Sequence, residues 1–101
     1  MLSKFYDELE VGAKTRSRGR TITETDIVLF SAFSGDWYPL HTDIEYASQT
    51  PFKQRIAHGL LVLSVASGLI TINPDVVYAF YGMESVRFFH PTFIGDTLYV
   101  E

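Results

Sequence analysis

Cysteine is absent from the 101 residues, so neither a disulfide nor a thiolate metal site can contribute to fold or chemistry. The absence fits a reducing compartment and gives no indication of zinc. Positive charge is scarce: 8 Lys and Arg stand against 12 Asp and Glu, and the net charge of −4 offers no general positive field for a nucleic acid. Long apolar runs are also missing. The most apolar stretch, residues 59–72, is broken by Ser64, Ser67, Gly68 and Thr71 and is too short to cross a bilayer. The first ten residues include Asp7, Glu8 and Glu10 and have no basic segment ahead of an apolar one, so they do not read as a secretory signal. The expectation is a cytoplasmic chain with no nucleic-acid and no membrane partner.

What is present is apolar and aromatic. With 47% apolar and 15% aromatic residues the chain can offset its ordering entropy by burial, which excludes a disordered segment. Its length suits one domain over residues 1–101, in which folding buries roughly 60 to 65% of the unfolded surface.

Patterning supplies the elements. Lys14, Arg16, Arg18 and Arg20 alternate, which on a strand places all four on one solvated face. Thr23 with Asp26 predicts a capping box, and Ile27, Val28, Leu29, Phe30 and Phe33 continue a helix that stops at Ser34-Gly35. Thr42 with Glu45 predicts a second N-cap and a short helix to about Gln49, followed by a polar loop over residues 50–55. From Gly59 the chain is apolar on nearly every side, which predicts a helix enclosed by other structure and ended by Asn73-Pro74. Val76 to Tyr81 and Ser85 to Phe89 are β-branched and aromatic, and read as one long strand with a bulge at Gly82, ahead of the alternative of a hairpin turning there. After Pro91, a turn at Gly95-Asp96 leads into another strand from Thr97.

The chemistry concentrates in two short segments. Ser34-Gly35-Asp36-Trp37-Tyr38-Pro39-Leu40-His41 places a carboxylate and an imidazole five residues apart around a proline turn. Seventeen residues on, Ile56-Ala57-His58-Gly59-Leu60-Leu61 puts a glycine at the head of the apolar helix, where free N–H groups and the helix dipole favour negative charge. An aspartate and a histidine, with reference pKa values near 3.9 and 6.5, can share one proton around neutrality and grip one water. Asp36 alone would read as an Asx turn, and His41 alone as a structural hydrogen-bonder. Their joint spacing puts the catalytic reading first. His58, at a helix start, reads as orienting the backbone, His90 as a strand-end residue without a role, and Trp37 as packing. Lys53 and Arg55, between the two segments, are candidate phosphate contacts ahead of the Lys14 to Arg20 face.

The order of these features resembles the MaoC-like family of (R)-specific enoyl-CoA hydratases and 3-hydroxyacyl-CoA dehydratases, whose motif runs Ser-Gly-Asp-X-Asn-Pro-Leu-His and then His-Gly with an apolar helix. The likeness runs from about Phe5 to the end of the chain and is densest from Ser34 to Leu69. One motif position departs, with Tyr38 in place of Asn, which bears on the pocket and the substrate rather than on the fold. The resemblance implies an α+β hot-dog fold, a long central apolar helix wrapped by a curved antiparallel sheet, here without the family's C-terminal strands. It implies reversible hydration of a trans-2-enoyl-CoA, with Asp36 and His41 as acid and base and Gly59 N–H as the oxyanion donor. Ser67 matches an acyl-pocket position, and Tyr38 would border the substrate. No metal or redox cofactor is implied, coenzyme A being part of the substrate, and a homodimer or higher homo-oligomer is expected. Two other readings stay open: a non-catalytic acyl-thioester-binding or assembly module, and a hot-dog thioesterase, which would not need Asp36 and His41 at this spacing.

Overall fold

The computed structural model describes residues 1–101. A single 3-10 turn at Tyr6–Glu8 precedes β1 (Arg20–Thr21), α1 (Glu24–Ser34), α2 (Pro39–Thr42), α3 (Ile44–Ser48), α4 (Gly59–Leu69) and β2 (Thr97–Leu98). β1 and β2 pair antiparallel, Arg20 opposite Leu98 and Thr21 opposite Thr97. No helix is long and apolar enough to cross a membrane.

Helix α1 starts where local chemistry places it. The Thr23 hydroxyl accepts from Asp26 N–H at 3.2 Å, and the Asp26 carboxylate accepts from Thr23 N–H at 2.8 Å, a closed capping box. Arg20 adds a two-pronged pair to the same carboxylate, at 2.9 and 2.6 Å, so the end of β1 is tied to the first turn of α1. The helix ends at Gly35, whose φ of 79° is a left-handed C-cap that a residue with a Cβ adopts only with strain.

The second cap lies one residue later than the spacing predicts. Asp43, not Thr42, accepts from Tyr46 N–H at 3.0 Å and opens α3. Thr42 instead ends α2, its hydroxyl donating to the Trp37 and Tyr38 carbonyls at 3.0 and 3.2 Å. A hydroxyl bound backwards cannot also cap forwards.

Ile22, Ile27, Ala57 and Leu61 form the core, with Phe30, Val62, Val65, Ile94 and Leu98 packed against it. The core thus lies between the exit of β1, the inner face of α1 and the first turns of α4, and it anchors the segments that carry Asp36 and His58. The expected long strand does not form a ladder. Residues 76–89 have no strand partner, and residues 78–90 are exposed throughout, Tyr78 and Tyr81 fully. Strand pairing needs a neighbour, and no segment of this chain presents an edge there. For the same reason α4 is covered on one side only: Leu61 and Leu69 are buried, whereas Leu60 is 65% exposed. Of the alternating basic residues only Arg20 lies in a strand, although the face is solvated as its pattern predicts. The radius of gyration is 16.3 Å, against about 13 Å for a compact domain of similar length.

The Arg20 hydrogen bonds hold the Asp26 carboxyl well down, at a pKa of about 2 against an ordinary 3.8. The unfolded chain therefore binds the extra proton as pH falls from about 4 to 2, and the stability from this contact is lost across that window. Thermal melts of Asp26→Asn are expected to show lower stability at neutral pH and a shallower decline on acidification. An unchanged acid slope would contradict the assignment.

Candidate active site

Three segments converge on one place. Asp36 follows the left-handed cap of α1, His41 sits in α2 behind Pro39 at its first turn, and His58 is the N-cap of α4. One ligand-type atom from each of Asp36, His41 and His58 lies within 4.8 Å of the other two. The sequence separations are 5 and 17 residues, and folding closes both.

Each side chain is held by the backbone around it. Asp36 Oδ1 accepts from Tyr38 N–H at 3.2 Å, while Oδ2 has no partner in the chain. The Asx turn and an available carboxylate oxygen therefore coexist in one residue. His41 Nδ1 lies 2.7 Å from the Ile56 carbonyl. A carbonyl only accepts, so Nδ1 carries the hydrogen and the neutral ring presents its lone pair at Nε2. Ile56 N–H returns a bond to the Leu40 carbonyl at 3.3 Å, which fixes α2 against the approach to α4.

His58 is buried, 2% exposed, and its ring stacks on that of His41 with centroids 4.0 Å apart. Its Nε2 contacts the Asp36 carbonyl at 3.0 Å and Ser31 Oγ at 3.1 Å, and its Nδ1 has no partner. Burial pushes the His58 pKa down. The Asp36 carbonyl opposes that shift and the neighbouring His41 adds to it.

Beside the triad lies a cleft of about 440 Å³, whose lining includes His41, Gly59, Phe52, Val62, Phe88 and His90. Its walls are mostly apolar, as an acyl chain would require. Gly59 is the first residue of α4, and its N–H donates to no group of the chain. A Cβ built there would stand 2.7 to 3.0 Å from the outer atoms of the Phe88 ring, so any larger residue would make this half-exposed ring shift. His90, which the sequence pattern leaves without a role, borders the same cleft.

The remaining candidates lie apart. Tyr38 is the N-cap of α2, its ring edge-on to His41 at 5.9 Å and to Tyr46 at 6.3 Å, and it does not line the cleft. Ser67 is exposed two turns along α4, donating to the Ser64 carbonyl at 2.6 Å. Arg55 pairs with Glu24 at 2.9 Å, joining the loop to α1, whereas Lys53 is exposed and forms no ion pair. Metal ligation would call on Asp36, His41 and His58 together. His58 Nε2 is engaged with the Asp36 carbonyl, so a ligand from His58 would have to be its buried Nδ1.

Residues 8–101 match the family described as MaoC like domain. The chain belongs to that MaoC-like family. Among its relatives is Protein MaoC of Klebsiella aerogenes, 39% identical over 98 residues that cover 96% of this chain and 29% of that protein. Another is the (R)-specific enoyl-CoA hydratase of Aeromonas caviae, 37% identical over 93 residues, 92% of this chain and 69% of that protein. A solved structure of the (R)-hydratase from A. caviae superposes with a TM-score of 0.73 at 35% identity, covering 91% of this chain and 69% of that one. The monoamine oxidase regulatory protein of an Archaeoglobus species superposes with a TM-score of 0.84 at 41% identity, covering 96% and 67%. The MaoC-like chain therefore has the hot-dog framework, with α4 as central helix and β1–β2 as its paired strands. It spans between 29% and 69% of the lengths of these relatives.

Ser31, the Ile56 carbonyl and Phe88 were not visible as site features in the sequence. Only Ser31 had a signal, a polar residue one helical turn from Ile27 on the buried face of α1, where it is 0% exposed.

The lowered His58 pKa has a stability consequence with a definite sign. Above the unfolded value of 6.5 both states hold a neutral ring, and below it the unfolded chain binds the proton first. Stability is expected to decline as pH falls from about 7 to 5, and His58→Gln to flatten that part of the profile in denaturant titrations. An equal slope in both proteins would rule His58 out as the source.

Proposed function

We propose that this MaoC-like chain carries the catalytic site of a hydro-lyase that reversibly hydrates a trans-2-enoyl-CoA to the (R)-3-hydroxyacyl-CoA. The observation that carries the reading is the convergence of Asp36 and His41 beside a mostly apolar cleft lined in part by Gly59. The hydratase relatives support the reaction class.

A water held by Asp36 Oδ2 and His41 Nε2 loses a proton to His41 as its oxygen bonds to C3. The C2–C3 π pair becomes the C1–C2 double bond while the C1–O π pair moves onto oxygen, giving an enolate opposite the Gly59 N–H at the positive end of α4. Collapse of the enolate takes the proton from His41 at C2. One water is added, and the enzyme returns to its starting protonation. Such an oxyanion donor is worth about 3 to 4 kcal/mol at the transition state. Phe52, Val62 and Phe88 would flank the acyl chain, and Lys53, which is exposed and in no ion pair, would meet a coenzyme A phosphate. No metal or redox group has a part in this scheme. A homodimer fits the uncovered side of α4 and the unpaired residues 76–89.

Loss of the conjugated thioester absorbance on a panel of trans-2-enoyl-CoA substrates tests the reading. Asp36→Asn is expected to keep its fold by circular dichroism and to lose activity by about 10²- to 10⁴-fold. A folded parent with no turnover on any chain length would sink the hydratase reading and leave a thioester-binding module.

A further inference from the structure

His58 is a buried imidazole that the scheme above does not use, and its surroundings dictate its state. The Asp36 carbonyl, 3.0 Å from Nε2, can only accept, so the hydrogen is on Nε2. Ser31 Oγ, at 3.1 Å, then accepts from the same N–H, and Nδ1 is left as a bare lone pair without a partner. A hydrogen on Nδ1 would be a buried donor with nothing to donate to, and it would leave two acceptors facing each other at Nε2. His41, stacked at 4.0 Å, has the opposite arrangement, with its hydrogen on Nδ1 toward the Ile56 carbonyl. A cation on that neighbouring ring disfavours a second proton on His58.

We infer that His58 is a positioning residue, which in its Nε2–H tautomer grips the Asp36 main chain while the stacked His41 is held in the Nδ1–H tautomer. The inference deepens the hydratase reading and rests on it for its effect on rate. His58 is next to Gly59, so the bond to the Asp36 carbonyl sets the distance between the carboxyl group and the oxyanion donor across a gap of 22 residues. Ser31 on α1 shares the same Nε2–H, and Phe30 packs on the ring with centroids 4.8 Å apart. His58 touches no reacting atom in this account.

Two measurements test it. Long-range 1H–15N spectra of the parent chain near neutral pH should assign Nε2–H to His58 and Nδ1–H to His41, and this needs no activity and no variant. An Nδ1–H or doubly protonated His58 overturns the inference, whatever the enzyme does. In kinetics, Gln places an amide N–H near the Nε2 position, whereas Asn reaches only the Nδ1 position and Phe keeps volume without a donor. His58→Gln is expected to retain kcat within about threefold of the parent, and His58→Asn to lower kcat by about 10- to 100-fold with KM nearly constant. His58→Phe, if folded, should resemble Asn. Equal kcat for Gln and Asn variants overturns the positioning role. A parent inactive on every enoyl thioester but with the stated tautomers would support the His58 assignment and count against the hydratase reading.

Discussion

The hydrogen bond from buried His58 to the Asp36 carbonyl joins the end of α1 to the start of α4, and the geometry of the site depends on that joint. Without it the carboxyl group would be placed only by its own Asx turn, on a segment that is otherwise exposed. The core beneath makes the joint stable: Ile27 from α1 packs with Ala57 and Leu61 from the α4 entry. Burial of the imidazole is therefore a consequence of helix packing. Its protonation state follows from that burial, and its tautomer from the carbonyl it faces.

A second constraint acts at Gly59. The Phe88 ring lies 2.7 to 3.0 Å from where a Cβ would be, so the glycine lets this aromatic wall close on the head of α4. Sequence reasoning assigns this glycine to oxyanion donation and does not foresee Phe88. The departure at Tyr38 has a local effect: its ring lies edge-on to His41 and Tyr46 outside the cleft, and its backbone is the N-cap of α2.

Features decided within a few residues were legible in the sequence. The Thr23 and Asp26 capping box, the stop at Gly35 and the start of α4 at Gly59 all depend on neighbours in the chain. The choice between Thr42 and Asp43 was not legible, because both can cap and only the direction of the Thr42 hydroxyl decides. Residues 76–89 have strand-forming composition but form no ladder, since pairing is a property of two segments and composition describes one. The proximity of Asp36 and His41 was readable from their spacing. The burial of His58 against Ser31 was not, because it joins residues 27 positions apart.

The central claim is that Asp36, His41 and the Gly59 N–H act on one thioester, and a crystal structure of the chain with a bound (R)-3-hydroxyacyl-CoA tests it most directly. The account predicts the 3-hydroxyl between Asp36 Oδ2 and His41 Nε2, with the thioester oxygen about 3 Å from the Gly59 nitrogen. A ligand whose 3-hydroxyl touches neither side chain, or whose thioester oxygen lies away from the head of α4, would contradict it.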